Sequence, residues 1–196
     1  MKLVKLTIRR YQEAKAVEIQ VSKTVTLALL DEKKESEGTL FFSKGKMRLE
    51  IKKPEESLII MGKGAIWVVT PTPPEFGGKT QVMKIRSKEL SRQAKAPLAA
   101  LLGKPKAWDE MNIKKEIATD DNVKFSMVPK MGANFGDIVA VNVEVSPTKK
   151  ILRGLSFKDE LDNETTYKFN STNFEAKVSD KSFEYVPPQD AEVTEY

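Results

Sequence analysis

Residues 17–29 alternate with a period of two. Val17, Ile19, Val21, Val25, Leu27 and Leu29 fall on one side and Glu18, Gln20, Ser22, Thr24 and Thr26 on the other, with Lys23 interrupting the apolar side. Successive side chains of a strand point to opposite faces, so this alternation predicts a strand with one buried and one solvated face. The run far exceeds the usual strand of roughly 5–6 residues. A strand of that length twists and curves, which predicts a barrel or half-barrel rather than a flat sheet.

The next segment repeats the pattern. After DEKKESEG at 31–38, read as a charged hairpin loop, residues 38–71 give a strand, a basic bend at Ser43-Lys44-Gly45-Lys46, and a second strand in which Met47, Leu49 and Ile51 alternate with charge. A Gly62-Lys63-Gly64 turn and a strand bearing Trp67 follow. Proline lacks a ladder donor, so the proline- and glycine-rich stretch 71–78 predicts an exposed loop, with a short strand beyond it at 82–86. Leu3, Leu6, Tyr11 and Ala14 predict an amphipathic N-terminal helix that packs on the sheet. Leu90, Ala94, Leu98, Leu101 and Leu102 predict helical pieces broken near Pro97 and closed by Gly103.

Residues 111–117, 123–128, 138–145, 151–157, 165–169, 174–178 and 182–185 read as further strands, separated by turn residues such as Asp120-Asp121-Asn122 and Asp162-Asn163. The expected fold is therefore α+β but mostly β. It is a single domain over residues 1–196, an unclosed antiparallel β-barrel of about eleven strands with short helices forming a lid over an apolar cavity.

The chain contains no histidine and no cysteine. That removes the commonest general base, thiolate metal sites, disulfides, and every Ser-His-Asp or Cys-His arrangement. Carboxylates at Asp120-Asp121, Asp159-Glu160 and Asp190 have no acid/base or metal-ligand spacing, and Gly62-Lys63-Gly64 lacks the glycines and helix of a phosphate loop. No enzyme, metal or cofactor is expected. The net charge of +5 is spread over lysines interleaved with acids, without the aromatic platforms of a nucleic-acid binder, so no nucleic-acid partner is expected. No run of about 20 apolar residues exists to span a bilayer. Residues 1–10 show neither an apolar core nor a cleavage site, so no signal peptide is expected within this sequence.

The order of these motifs resembles the LolA family of periplasmic lipoprotein carriers. The resemblance rests on Gly38-x-Leu40-x-Phe42, the basic bend, Met47-Arg48-Leu49, Pro54 to Ile60, the Gly-Lys-Gly turn, Ile66 to Val69 with Pro71, the leucines at 98–102, and Leu161 to Phe169. It also rests on the ending Phe183-x-Tyr185-x-Pro187-Pro188-x-Asp190-Ala191-x-Val193. It covers most of residues 3–193.

The resemblance implies a monomeric carrier in the periplasm that holds the acyl chains of lipoproteins. Cargo would be received from an inner-membrane lipoprotein-releasing transporter and passed to an outer-membrane acceptor. Met47, Leu49, Ile51, Ile60, Trp67, Val69 and Met83 on the strands, with Leu98, Leu101 and Leu102 on the lid, are the implied lipid-binding residues. Plain core packing is the alternative for each, because cavity wall and core are built of the same residue types. Leu49 stands where the family commonly has an aromatic. Where the family has an Arg-Pro pair latching the lid, this chain has Lys44, which cannot reproduce the planar guanidinium fork. Other cargo, such as a glycolipid or polyketide-type lipid, and a lipid-sensing module are the alternative functions.

Overall fold

The computed structural model describes residues 2–54, 56–62, 64–72, 78–86, 101–102, 105–133 and 135–196. At its centre is the long hairpin anticipated from the alternation, β1 (Val17–Leu27) with β2 (Glu32–Ser43). The pairing runs from Val17 opposite Phe42 to Leu27 opposite Glu32. DEKKESEG is thus not a loop: residues 32–38 continue the ladder, and the turn is a 3-10 helix at Ala28–Leu30 closed by Asp31 at φ 50°. Charge on this stretch reflects the part of β2 that runs past the end of β3, while β1 stays paired with β11 as far as Thr26. Leu29 lies in that turn and is exposed rather than continuing the apolar face.

From β2 the chain winds outward through β3 (Lys46–Lys53), β4 (Ser57–Met61), β5 (Ala65–Thr70) and β6 (Gln81–Arg86). A second run, β7 (Met111–Thr119), β8 (Asn122–Pro129), β9 (Ile138–Ser146), β10 (Ile151–Asp159) and β11 (Glu164–Asn173), returns until β11 pairs with β1. A last strand, β12 (Glu192–Glu195), lies parallel on β6. The result is one 12-stranded sheet in the order β12-β6-β5-β4-β3-β2-β1-β11-β10-β9-β8-β7, with β12 and β7 as its two edges and no pairing between them. The barrel is unclosed, as expected.

Two of the anticipated strands are not strands. Residues 174–178 form a turn and coil, and 182–185 overlap a 3-10 helix at Asp180–Phe183 whose first turn is capped by the Ser179 hydroxyl. The phenylalanine and tyrosine in that stretch alternate because both dip into the outside of the sheet, not because they sit in a ladder.

Helix α1 (Lys2–Glu13) buries Val4, Thr7, Ile8 and Tyr11, a stripe at i, i+3, i+4 and i+7. Leu6, anticipated on that stripe, is 45% exposed. The Tyr11 ring stacks on Phe42 of β2 at 5.6 Å and on Phe174 at 5.4 Å. One continuous core joins α1, both runs of strands, Leu101, Leu102 and Trp108.

Candidate functional site: the inner face of the half-barrel

Register divides the anticipated lipid-binding residues. Antiparallel partners share a face, so cross-strand pairs trace rows around the sheet. On the inner side one row runs Ile19, Leu40, Leu49, Ile59, Val68, Met83, and a second runs Val17, Phe42, Met47, Met61, Ile66, Ile85. Ile51 lies opposite Gly38 on the same face. Gly38 is required there: a Cβ would stand 2.1 Å from the Glu50 carbonyl oxygen.

On the outer side the pairs run Arg48, Ile60, Trp67, Lys84. Ile60, Trp67 and Val69 therefore do not share a wall with Met47, Leu49, Ile51 and Met83. Ile60 and Val69 are buried, yet they stand outside the main core cluster. Their cover is the C-terminal segment. Trp67 meets the Tyr185 ring at 5.5 Å under Lys84, whose Nζ lies 5.3 Å from the indole. Arg48 donates to the Ser182 carbonyl (2.8 Å) and to Glu50 Oε1 (2.6 Å), so it anchors this segment and is not a freely solvated residue of the sheet. The segment passes so close to Gly62 that a Cβ there would stand 2.7 Å from the Phe183 carbonyl oxygen.

The inner rows are filled unevenly. Met47, Leu49, Ile51, Ile66 and Ile85 are buried, whereas Ile59, Met61, Val68 and Met83 are only partly covered, packed along the margin of the core. Leu101 and Leu102 are fully buried in that core. Leu98, the third anticipated lid residue, lies outside the described residues.

Two side chains that the sequence reading did not single out hold the 101–102 backbone. Trp108 Nε1 donates to the Leu101 carbonyl at 2.8 Å and Gln12 Nε2 to that of Leu102 at 2.9 Å. A fully buried indole needs an acceptor for its N–H, which was the available signal for Trp108. Lys44 does something else. It occupies the left-handed region at φ 49° beside Gly45 at φ 78° in the two-residue β2–β3 turn, and its side chain is exposed. Its backbone N–H donates to Ala14 O, and the Ser43 hydroxyl to Lys15 O (2.6 Å), so the bend is tied to the chain just after α1.

Two of the acids, Asp121 and Asp159, have structural partners. Asp121 accepts from the hydroxyls of Ser146 and Thr148 and from Arg153 Nη2 (3.1 Å), and these bonds hold its carboxyl down at about 2. Asp159 caps the β10–β11 turn, accepting from the backbone N–H groups of Leu161 and Asn163. A groove of about 840 Å³ on the outer face of β8–β11 is lined by polar and charged side chains, among them Lys124, Glu144, Arg153 and Lys168. It offers hydrocarbon nothing. On the inner face of β4 to β6, apolar side chains with incomplete cover gather at Ile59, Met61, Val68 and Met83.

Comparison with known proteins agrees with this architecture. The sequence model of the family described as outer membrane lipoprotein carrier protein LolA matches residues 12–186. No curated protein sequence matches the chain. Among solved structures, an uncharacterized conserved protein from Thermus thermophilus superposes with a TM-score of 0.54 at 11% identity, over 100% of this chain and 98% of that one. A DUF1329 family protein from Desulfovibrio piger gives 0.50 at 12% identity, over 93% and 95%. Likeness at these identities establishes the fold alone. A LolA superfamily protein from Nitrosomonas europaea is similar at a TM-score of 0.45 and 11% identity, over 93% and 97%.

Proposed function

Because the chain belongs to the family of the outer membrane lipoprotein carrier protein LolA, we propose that it shelters the acyl chains of a lipoprotein against the inner face of its half-barrel and carries them across the periplasm. The observation that supports this reading is the pair of continuous apolar rows, which share one core with the buried Leu101 and Leu102 and are left half-covered at Ile59, Met61, Val68 and Met83.

Met47, Leu49 and Ile51 form the floor of the site in this proposal, Val68 and Met83 its open margin, and Leu101 and Leu102 the plugs that give way. Unbranched Met83 and Met61 adapt to tails of different shape. The energetics permit exchange in both directions. Burying a leucine side chain is worth about 1.5–3 kcal/mol and each acyl methylene about 0.8 kcal/mol. About two to four methylenes thus offset each leucine displaced, and a long chain has a surplus with which to open the cover. An empty carrier that plugs its own hollow with leucines does not present that surface to water.

Cargo identity is tested by mass spectrometry of the protein purified from its native host. A bound acylated peptide supports the carrier of lipoproteins. A bound glycolipid or polyketide-type lipid without peptide replaces that cargo while leaving the site in place, and protein free of lipid overturns the proposal.

A further inference from the structure

Two methionines stand on the half-covered margin of the inner face. Met61, at the end of β4, lies opposite Met47 and Ile66, and Met83 of β6 lies opposite Val68. Both are partly covered and pack against the core. Among the described residues the other methionines divide into two groups. Met47, Met111 and Met127 are buried, and Met131, just beyond β8, is fully exposed. An oxidant arriving in water must touch the sulfur, so it reaches Met131 first, Met61 and Met83 next, and the buried three last.

Hydrogen peroxide oxidises a thioether by direct oxygen transfer. The sulfur lone pair attacks one peroxide oxygen, the O–O bond breaks, the sulfur is oxidised by two electrons to the sulfoxide, and the peroxide is reduced to water. A flexible apolar side chain thereby becomes a polar one that carries a strong acceptor. At Met131 that oxygen meets water and costs nothing. At Met61 and Met83 it faces two rows built of isoleucine, leucine, valine, methionine and phenylalanine, none of which carries a side-chain donor. While the margin is empty, water reaches the oxygen. Hydrocarbon laid over the margin removes that water, and burying an acceptor without a donor is unfavourable.

We infer that Met61 and Met83 are an oxidant-sensitive pair, through which peroxide weakens the hold of the inner face on hydrocarbon while the fold stays intact. This role rests on the proposed acyl-chain site. The fold is spared because the sulfoxides form at a wet margin and not in the packed core beside Met47. The change is reversible, since the reductases for the two sulfoxide epimers return the thioether, with a dithiol oxidised to its disulfide and the oxygen released as water.

The test treats the full chain with graded hydrogen peroxide, locates each sulfoxide by peptide mass spectrometry and measures affinity for a fluorescent fatty acid. Affinity is unchanged while Met131 alone is oxidised and falls at least about tenfold once Met61 and Met83 are converted, with an unchanged circular dichroism spectrum. The double variant Met61→Leu, Met83→Leu keeps its affinity through the same treatment. Fatty acid bound beforehand slows oxidation of Met61 and Met83 but not of Met131. Conversion of the pair no faster than that of Met47, undiminished affinity after conversion, an equal loss in the double leucine variant, or loss of the folded spectrum overturns the inference and leaves the carrier reading standing. Binding that protects neither methionine, or no binding by untreated protein, overturns the carrier reading along with it.

Discussion

The phenol oxygen of Tyr11 accepts the backbone N–H of Leu152 at 2.8 Å. Leu152 precedes the extra residue of a bulge in β10, where Arg153 has no partner of its own on β9. The bond therefore supplies an acceptor from α1 where the ladder is interrupted. With the ring stacked on Phe42, one side chain pins the helix to both runs of strands.

Tyr11→Phe keeps the stacking and leaves the Leu152 N–H without its acceptor in a buried place. The expected loss is about 1–3 kcal/mol in denaturant unfolding. Burial raises the Tyr11 pKa above its ordinary 10.0. A raised value means that the folded state holds its proton more tightly, so this contribution is complete below pH 10 and is lost as pH rises through the folded value. The alkaline decline in stability is expected to be shallower in the phenylalanine variant. Tyr167, also raised by burial, leaves part of that decline in place.

Asp121 acts at the other end of the scale. Its carboxyl, held at about 2 by Ser146, Thr148 and Arg153, is lower than the ordinary 3.8, so its contribution is present above 3.8 and disappears as pH falls through 2. Unfolding midpoints measured between pH 2 and pH 6 are expected to fall at the acid end in wild-type protein and to vary less for Asp121→Asn. An equal acid slope in both proteins would assign the loss to other carboxylates.

Thr7 sits fully buried on α1 with its hydroxyl unpartnered among the described residues. Valine has nearly the same shape without the polar atom. Thr7→Val is expected to stabilise the protein by about 1 kcal/mol, read as a raised unfolding midpoint.

The bonds from Gln12 and Trp108 to the Leu102 and Leu101 carbonyls hold the cover closed in the proposed cycle. Trp108→Phe with Gln12→Leu removes both donors and retains apolar bulk. Stopped-flow uptake of a fluorescent fatty acid is expected to become several-fold faster, whereas Lys44→Ala, at the exposed bend, leaves the rate unchanged. Uptake slowed by the double substitution would mean that the cover needs those bonds in order to open.

How far the sequence could be read depended on whether a pattern had local causes. The parity of Met47, Leu49 and Ile51 was legible because charge occupies every intervening position of β3. In β5 it was not: Ile66, Trp67, Val68 and Val69 are all apolar, since the outer face there is covered by a segment more than a hundred residues away in sequence. With no polar position to mark a face, alternation carries no information in β5, and Trp67 stands among the lipid-binding residues only through the family resemblance. The ladder of residues 32–38 was hidden for the opposite reason, because β2 runs past β3 there and polar residues occupy both faces of the strand. The α1 stripe was legible as a helix, and its exact facing was set by Tyr11 reaching Phe42 and Leu152.

That parity in β5 gives the sharpest test of the proposed site. Val68 and Trp67 are neighbours in sequence on opposite faces, one beside Met83 in the inner row and the other beneath Tyr185. Both are only partly covered, so a carboxylate at either position retains access to water and leaves the fold able to form. Val68→Glu places the charge where hydrocarbon is proposed to lie, and probe affinity is expected to fall by about tenfold or more, since a buried carboxylate without a partner is strongly disfavoured. Trp67→Glu disturbs the C-terminal segment and its stability but leaves probe affinity within about twofold, a difference under about 0.5 kcal/mol. Equal losses in both variants, with folding verified by circular dichroism, would show that uptake does not depend on the inner face.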